Sequence, residues 1–263
     1  DHKKPVMSIT WSPDGTLLAS GSFDSTIKFW DKTGKLVKTL KVHESLVLSV
    51  AWNPDGNYIA SGSDDNTIKI WDKNGNLFKA WEGHEKQVTS VSWSPDGTLL
   101  ASGSFDSTIK IWDLDGNLIE TLEDHEKPVT SVSWNKDGIH IASGSLDNNI
   151  KIWDLNGNLI RTLKDHKTAV KSIAWSPDGT LLASGSQDYL IKIWNKTGDL
   201  IKMLVGGHKK AVVCLAWSLD GNFLASASQD CTIKIWDKTG KLIKSWEGHE
   251  KLVSSVAWNP RNN

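Results

Sequence analysis

The sequence has 263 residues, of which 38% are hydrophobic and 23% charged, and its formal net charge at pH 7 is -1. This balance excludes collagen-like, low-complexity and strongly charged disordered chains, and it removes the simplest electrostatic case for binding nucleic acid or an anionic membrane. No apolar run approaches the roughly 18 residues of a membrane-spanning helix, and no signal-type apolar segment follows residue 1, so we expect a cytoplasmic chain. The unusual feature is 15 Trp against 2 Tyr and 5 Phe.

A repeated unit accounts for the tryptophans. Histidines recur every 41 residues, with a single spacing of 42, at His2, His43, His84, His125, His166, His208 and His249. One tryptophan series keeps the same spacing, at Trp11, Trp52, Trp93, Trp134, Trp175, Trp217 and Trp258. A second series is Trp30, Trp71, Trp112, Trp153, Trp194 and Trp236. Residues 12–28 are identical to residues 94–110, which indicates duplication within the chain.

Each repeat predicts four short strands in chain order. The first is an alternating run that ends at a tryptophan, as in residues 129–134, and an Asp-Gly turn leads to a second strand with the pattern Leu-Leu-Ala-Ser-Gly-Ser. A short turn containing Asp precedes the third strand, Thr-Ile-Lys-Ile-Trp-Asp, and a turn containing Gly precedes the fourth, as in residues 118–122. No segment has a sustained helical period, so the sequence predicts an all-β protein.

Two dipeptides recur in these repeats. Gly-His occurs at residues 83–84 and 248–249, and Trp-Asp ends five of the six third strands. In these motifs the whole chain resembles the WD40-repeat family, and its near-identical repeats resemble those of bacterial WD40 signalling proteins. The resemblance implies a single β-propeller domain over residues 1–263, with four-stranded antiparallel blades around a central channel. The repeats begin near His2, His43, His84, His125, His166 and His208, and a partial repeat begins at His249.

The number of blade positions stays open at this level. The repeats predict six complete blades and one extra inner strand, residues 252–258. They fit either a seven-position ring whose last blade is incomplete or a six-bladed ring with the final strand displaced. Because an unpaired blade edge favours association, we expect that the incomplete blade can support self-association.

Every complete repeat carries His, Ser, Asp and Trp at constant spacing, and the first three are the residue types of a hydrolase triad. An enzyme needs one active site, whereas six copies indicate a scaffold. We therefore interpret each set as a hydrogen-bond relay from Asp through His and Ser to the Trp indole, which matches the structural tetrad of WD40 blades. The predicted tetrads are His2, Ser20, Asp24 and Trp30; His43, Ser61, Asp65 and Trp71; His84, Ser102, Asp106 and Trp112; His125, Ser143, Asp147 and Trp153; His166, Ser184, Asp188 and Trp194; and His208, Ser226, Asp230 and Trp236.

No other residue pattern predicts catalysis or a bound cofactor. The repeat histidines lie on different blades and cannot converge on one metal ion, and His140 stands alone. The chain contains no phosphate-binding loop and no nucleophile-elbow motif. Cys214 and Cys231 fall where other repeats carry apolar or small residues, which predicts buried thiols in strands. We therefore expect no enzymatic activity, no metal and no cofactor.

A lysine that recurs in the third strands has two interpretations. These lysines form a basic ring for a polyanion, or their stems cover the apolar blade surface while the ammonium groups stay in water. The near-zero net charge favours the second interpretation, so we expect no nucleic-acid partner. The six residues are Lys28, Lys69, Lys110, Lys151, Lys192 and Lys234.

Function in a propeller is expected where the repeats differ. The resemblance to WD40 proteins implies that partners bind three and five residues after each repeat His and just before the turn Asp. The early blades carry apolar residues there, as in a protein-binding hot spot with a polar rim, although Phe23 and Phe105 also lie in the copied segment. The candidate partner-binding residues are Pro5, Met7, Phe23, Leu46, Leu48, Phe105, Leu146 and Lys171.

Three functions fit these observations. The first is a non-enzymatic scaffold for protein–protein interaction, with proteins or peptides as partners and neither nucleic acid nor membrane. The second is a regulatory or sensor propeller cut from a larger multidomain signalling protein, which the lack of an initial Met and the incomplete last repeat favour. The third is an engineered or evolution-model propeller without a specific ligand, which would capture nothing specific from a lysate.

Overall fold

The computed structural model describes residues 1–41 and 43–261, and its 24 strands form six four-stranded antiparallel sheets. In each sheet the strands pair in chain order, and the first strands of successive sheets contact one another. This arrangement makes the sheets the blades of a propeller. The described residues contain no helix. The predicted all-β propeller with six complete blades is confirmed.

The strand bounds repeat from blade to blade. Blade one comprises β1 (Val6–Trp11), β2 (Leu17–Ser22), β3 (Thr26–Asp31) and β4 (Leu36–Lys41). Blade two comprises β5 (Val47–Trp52), β6 (Tyr58–Ser63), β7 (Ile68–Asp72) and β8 (Leu77–Trp81). Blade three comprises β9 (Val88–Trp93), β10 (Leu99–Ser104), β11 (Thr108–Asp113) and β12 (Leu118–Glu123).

The second half of the chain follows the same plan. Blade four comprises β13 (Val129–Trp134), β14 (His140–Ser145), β15 (Ile150–Asp154) and β16 (Leu159–Leu163). Blade five comprises β17 (Val170–Trp175), β18 (Leu181–Ser186), β19 (Ile191–Asn195) and β20 (Leu200–Leu204). Blade six comprises β21 (Val212–Trp217), β22 (Phe223–Ser228), β23 (Thr232–Asp237) and β24 (Leu242–Glu247).

Tight turns at repeated positions set the register within each blade. Gly15 has a φ of 66°, and its N–H donates to the Ser12 carbonyl at 2.8 Å, which closes the turn between β1 and β2. Glycine adopts this left-handed conformation at little cost. The turn between the second and third strands also holds one left-handed residue in each blade, and none of these is glycine. They are Ser25, Asn66, Ser107, Asn148, Tyr189 and Cys231.

The prediction that both cysteines lie in strands is wrong for Cys231. Cys214 lies in β21, where burial raises the pKa of its thiol. Cys231 lies in the turn before β23, with a φ of 68°. The residues equivalent to Cys231 in the other repeats are polar ones with φ near 70°, and they lie in the left-handed turn rather than in a strand.

The core lies between blades. At the interface of blades three and four, Ile109, Ile111 and Leu122 belong to blade three, and they pack against Trp134 and Trp153 of blade four. All of these side chains are buried. Equivalent apolar clusters join blade one to two, two to three, four to five and five to six. A single blade cannot bury its own apolar face, so each blade depends on its neighbour.

One hydrogen bond repeats between the inner strands around the ring. A hydroxyl on the first strand of one blade accepts the N–H of the first strand of the next, as between Ser49 Oγ and Val91 N at 3.1 Å. The same bond joins Ser8 to Val50, Ser90 to Val132, Ser131 to Ile173 and Ser172 to Leu215. These bonds hold the inner strands at a constant offset.

Residues 253–258 occupy a seventh inner position between blade six and blade one. The N–H of Val256 donates to Cys214 Sγ of blade six at 3.5 Å. Ser255 Oγ accepts the N–H of Ile9 in blade one at 3.2 Å, so the repeating bond closes the ring. This segment pairs with no strand. Residues 1–41 and 43–261 therefore form six four-stranded blades, and the segment 253–258 fills a seventh inner position.

Trp81 and Trp246 occupy equivalent positions in the fourth strands, yet Trp81 is 4% exposed and Trp246 is 45% exposed. Because Trp81 fills the interface with the next blade, Trp81→Ala should lower the free energy of unfolding by about 3–5 kcal/mol. Trp246→Ala should lower it by no more than about 1–2 kcal/mol, because nearly half of that side chain is exposed and only Lys244 lies over its ring. Guanidinium unfolding followed by circular dichroism measures both changes, and equal losses would contradict the assignment of blade faces.

Candidate protein-binding face and the blade tetrads

The four predicted tetrad residues meet in every complete blade. In blade three, His84 Nδ1 lies 2.8 Å from Asp106 Oδ2, and His84 Nε2 lies 2.7 Å from Ser102 Oγ. The indole N–H of Trp112 donates to the same Ser102 oxygen at 2.8 Å. This network assigns the imidazole proton to Nδ1, so the Ser102 hydroxyl donates to Nε2. Across the six blades the His–Asp distances run from 2.6 to 3.0 Å.

Each tetrad joins the loop before the first strand to the turn between the second and third strands. Besides His84, Asp106 accepts the N–H of Glu85 at 3.0 Å and the N–H of Thr108 at 2.9 Å. Burial alone would raise the pKa of Asp106, but the hydrogen bonds from His84 and Thr108 outweigh it and hold the pKa well below its usual range. The same balance of burial against hydrogen bonds lowers the pKa of Asp24, Asp65, Asp147, Asp188 and Asp230.

The geometry of the tetrads suits bracing better than hydrolysis. A nucleophilic serine must reach a substrate, whereas Ser102 is fully buried and bonded to His84 and Trp112. All six tetrad serines are buried. Burial also lowers the pKa of His208 despite its bond to Asp230, which favours the neutral imidazole. A buried and satisfied polar network of this kind stiffens the loops that it joins.

The recurring lysines differ from the expectation of ammonium groups in water. Lys151 and Lys192 are buried, and their ammonium groups pair with Asp124 and Asp165, the residues just before two of the repeat histidines. Lys110 donates to the Thr121 hydroxyl at 3.1 Å on the neighbouring strand. The expectation is therefore wrong for Lys151, Lys192 and Lys234, which are all buried. An Asp before the histidine pairs with each of the first two, whereas Lys234 donates to the Ser245 hydroxyl on the neighbouring strand at 2.8 Å.

The tetrads position a row of neighbouring residues on one face of the propeller. We name this the tetrad face; it consists of the loops before the first strands and the turns between the second and third strands. On it, the Phe23 N–H donates to the Pro5 carbonyl at 2.9 Å, and the Leu146 N–H donates to the Pro128 carbonyl at 3.0 Å. The same bond occurs in all six blades. The two positions adopted from the WD40 resemblance, three residues after the His and just before the Asp, are therefore neighbours in space.

The candidate partner-binding residues differ in accessibility. Phe105 is 41% exposed, and Pro5 is also exposed. The other candidates are partly buried; they are Met7, Phe23, Leu46, Leu48, Leu146 and Lys171. Burial lowers the pKa of Lys171. Phe105 is the aromatic candidate with the largest accessible surface for contact with a partner.

A cavity of about 1070 Å³ lies between blade six and blade one, beside residues 253–258. Ile235 and Trp246 line it on the side of blade six, and the candidates Met7 and Phe23 line it on the side of blade one. No residue pattern predicted this cavity directly. The sequence feature that could have predicted the cavity is the seventh repeat, of which this sequence contains only the first strand.

Residues 1–41 and 43–261 contain no group of three or more His, Cys, Asp or Glu that could hold a metal ion. His140 begins β14 and pairs with Asp137 at 2.6 Å, at the end of the blade opposite the tetrad face. Over the same part of the chain, no helix is long and apolar enough to cross a membrane.

Comparison with known families agrees with this architecture. The family model of the first β-propeller of WDR19 matches residues 7–164, 48–204 and 89–262. Each match covers more than half of the chain, and successive matches begin one repeat apart. The chain belongs to the WD40 β-propeller family. WD40 propellers generally act as non-catalytic interaction scaffolds.

Curated relatives match this WD40 chain over about one repeat. A probable cytosolic iron-sulfur protein assembly protein 1 of Cryptococcus neoformans is 66% identical over 32 residues, which are 12% of this chain and 7% of the relative. The cytosolic iron-sulfur protein assembly protein 1 of Saccharomyces cerevisiae is 44% identical over 41 residues, 16% of this chain and 12% of the relative. The F-box-like/WD repeat-containing protein TBL1X of Mus musculus is 46% identical over 41 residues, 16% of this chain and 8% of the relative.

Removal of one tetrad hydroxyl should destabilise the WD40 fold. Ser102→Ala leaves His84 Nε2 and the Trp112 indole N–H buried without a partner, so we expect a loss of about 1–3 kcal/mol in the free energy of unfolding. The matched control is Ser92→Ala in the same blade, because the Ser92 side chain makes no hydrogen bond within the described residues. That control should change stability by less than about 0.5 kcal/mol. Chemical denaturation compares the two, and equal effects would contradict the tetrad's role.

The lowered pKa values of the turn aspartates predict acid sensitivity. A carboxyl whose pKa is lower in the folded state adds stability above its ordinary pKa, and that stability is lost as the pH falls. Each such carboxyl should account for a loss of about 1 kcal/mol between pH 7 and pH 3. Asp106→Asn should therefore flatten the decline in stability between pH 5 and pH 3, whereas Asp115→Asn, at an exposed position, should not. Denaturation midpoints at pH 7, 5, 4 and 3 test this, and parallel curves for both variants would refute it.

Proposed function

We propose that this WD40 chain is a non-catalytic platform that binds other proteins or peptides through its tetrad face. The observation that carries the proposal is Phe105, an exposed aromatic residue on a turn that is held in place. Phe105 directly precedes Asp106, whose carboxylate is bonded to His84 and to two backbone N–H groups. An aromatic side chain on a braced turn loses little conformational entropy when a partner covers it.

The surroundings of Phe105 support a protein-binding hot spot. The Phe105 N–H donates to the Gln87 carbonyl at 2.9 Å, and the Gln87 side chain bonds to Asp64 of blade two. Leu46 and Leu48 of blade two are partly exposed on the same side of the ring. An apolar anchor with a polar rim is the usual composition of such a site. The candidates Pro5, Met7, Phe23, Leu146 and Lys171 extend the proposed surface around the face.

Proteins are the proposed partner class, and nucleic acids and membranes are not. The net charge is close to zero, and the buried Lys151 and Lys192 are paired with Asp124 and Asp165 rather than available to phosphates. We propose a cytoplasmic location, which the names of the cytosolic relatives favour. Those relatives match over a single repeat, so only the general role of an interaction scaffold is extended from the family to this chain.

The proposed face is tested with one charged substitution and a matched control. Phe105→Asp should abolish partner capture without lowering the melting temperature by more than about 2 °C, because the side chain is exposed. Ile139→Asp introduces the same charge at a residue that is 54% exposed, on the opposite end of blade four. It should leave capture unchanged.

The measurement is affinity capture from a lysate of the source organism, followed by quantitative mass spectrometry of the bound proteins. Proteins retained by the parent chain and by the Ile139→Asp variant, but lost from the Phe105→Asp variant, would support the tetrad face. Retention of the same proteins by all three chains would refute it.

A further inference from the structure

One position on the tetrad face changes the sign of its charge around the ring. It is the residue directly after each tetrad histidine, and in every complete blade its backbone N–H donates to the turn aspartate at 2.8–3.2 Å. In blades one to six it is Lys3, Glu44, Glu85, Glu126, Lys167 and Lys209, and all six residues are exposed. The tetrads thus anchor glutamates on blades two to four and lysines on blades five and six.

The neighbouring residues make blades five and six the basic part of the tetrad face. In blades three and four, Lys86 and Lys127 follow the glutamates and offset their charge. Blade two carries a further carboxylate at Asp64. The loops after His166 and His208 contain lysines and no acidic residue in residues 167–171 and 209–213. Positive charge on these two loops is therefore not balanced by a carboxylate of the same loop.

Lys171 adds a partly buried ammonium group to the basic blades. It lies on β17, five residues after His166, where blades three and four carry Thr89 and Thr130. Each threonine hydroxyl donates to two backbone carbonyls, whereas Lys171 has no hydrogen-bond or ion-pair partner among the residues that the structure describes. Burial lowers the pKa of Lys171. A partly buried ammonium group without a counter-charge is stabilised when a carboxylate reaches it.

Small side chains and exposed amides surround Lys171. The Gln187 N–H donates to the Ala169 carbonyl at 2.9 Å, and the Gln229 N–H donates to the Ala211 carbonyl at 3.0 Å, so an exposed glutamine stands beside each alanine. Alanine extends less far from the backbone than the residues at this position in blades one to four, which are Pro5, Leu46, Gln87 and Pro128. Blades five and six therefore leave a partner more room to approach Lys171, and they offer it amide donors.

We propose that blades five and six of the tetrad face bind an acidic segment of a partner polypeptide, with one carboxylate on the Lys171 ammonium group and others on Lys167 and Lys209. This inference rests on the proposed protein-binding function and assigns the chemistry of the partner at a second place on the same face, two and three blades away from Phe105. The side-chain amides of the neighbouring glutamines donate to the same carboxylates. Charge-assisted hydrogen bonds of this kind are stronger than neutral ones.

The charge distribution favours a short acidic segment over a larger polyanion. A membrane or a long nucleic acid extends beyond two blades, and its phosphates then also meet Glu44, Glu85 and Glu126 on the neighbouring loops. A short segment of a polypeptide places its carboxylates on blades five and six alone. A second copy of this chain would have to lay its own glutamates on these blades, and the oligomeric state tests that arrangement.

The probe is a short capped peptide in which Glu alternates with Gly, and its control peptide has Gln in place of every Glu. Each peptide is added to the isotope-labelled full chain, and the amide NMR signals are followed at low and high salt. The Glu peptide should shift the signals of residues 167–171 and 209–211 with a Kd below about 1 mM at low salt, and the Gln peptide should not. Added salt should weaken the binding. No shift at about 5 mM Glu peptide overturns the proposal.

Substitution of the lysines tests the proposed contacts. Lys171→Gln should weaken binding of the Glu peptide about tenfold without lowering the denaturation midpoint, because it removes an unpaired ammonium group. Lys167→Glu combined with Lys209→Glu should weaken binding by at least about tenfold. The matched control is Lys196→Glu combined with Lys238→Glu, which puts the same charges on exposed turns at the opposite end of the same blades. Equal losses in the two double variants would show a general charge effect and overturn the proposed site.

Three outcomes would assign these blades to another ligand and overturn the proposal. Inorganic phosphate that produces the same shifts at a similar concentration would show an adventitious ion only. A DNA oligonucleotide that shifts the same signals and binds more tightly than the Glu peptide would show a nucleic-acid site. Sedimentation of the chain alone should show a monomer, and a dimer whose formation shifts the same signals would show that a second copy occupies blades five and six.

Failure of this site and failure of the proposed function are distinguishable. Phe105→Asp should leave the affinity for the Glu peptide unchanged, because Phe105 lies on blade three. Loss of lysate capture by Phe105→Asp, together with no binding of the Glu peptide, would leave the proposed function standing and overturn the acidic-segment site. Binding of the Glu peptide that Lys171→Gln weakens, together with capture that Phe105→Asp does not change, would support the acidic-segment site and refute the Phe105 hot spot.

Discussion

The packing of each blade on the next is the contact on which the rest of the molecule depends. A blade is a single sheet whose apolar side chains project from both faces, so it needs a neighbour on each side to bury them. Interfaces such as the one between Ile111 of blade three and Trp153 of blade four supply this burial five times in succession. The row of blades closes into a ring, so blade six must face blade one. The two blade faces that meet there are the only ones in the described chain without a complete partner blade.

The tetrads follow from the same architecture, at the end of the blade where strand packing stops. The loops there contain backbone N–H and C=O groups that the sheet cannot pair. The buried imidazole, hydroxyl and carboxylate of each tetrad form hydrogen bonds with several of them. Asp106 alone bonds to His84 and to two backbone N–H groups. Because identical networks brace every blade, the residue beside each one can vary without disturbing the fold. Phe105 and the equivalent Gln187 of blade five show how far it varies.

Repetition explains which features could be predicted from the sequence. Six copies of one pattern predicted six four-stranded blades, and the constant spacing of His84, Ser102 and Trp112 predicted residues that meet. Features that depend on the surroundings of a single blade were harder to predict from the repeated pattern. Asp124 and Asp165 bury the ammonium groups of two lysines that were expected in water, a difference that a comparison of the residue before each histidine could have revealed. Ring closure could not be predicted, because every repeat has the same pattern whether or not a blade follows it.

Trp81 and Trp246 show why residue type alone does not define a core. Both lie at the same position of a fourth strand, in the same orientation relative to their blade, and the free-energy contribution of each depends on the blade that follows. Blade three covers Trp81, whereas the part of the chain that the structure describes has only the single segment 253–258 on the corresponding side of Trp246. A repeat protein whose interfaces are interchangeable can therefore present a core surface to solvent without any change in sequence pattern.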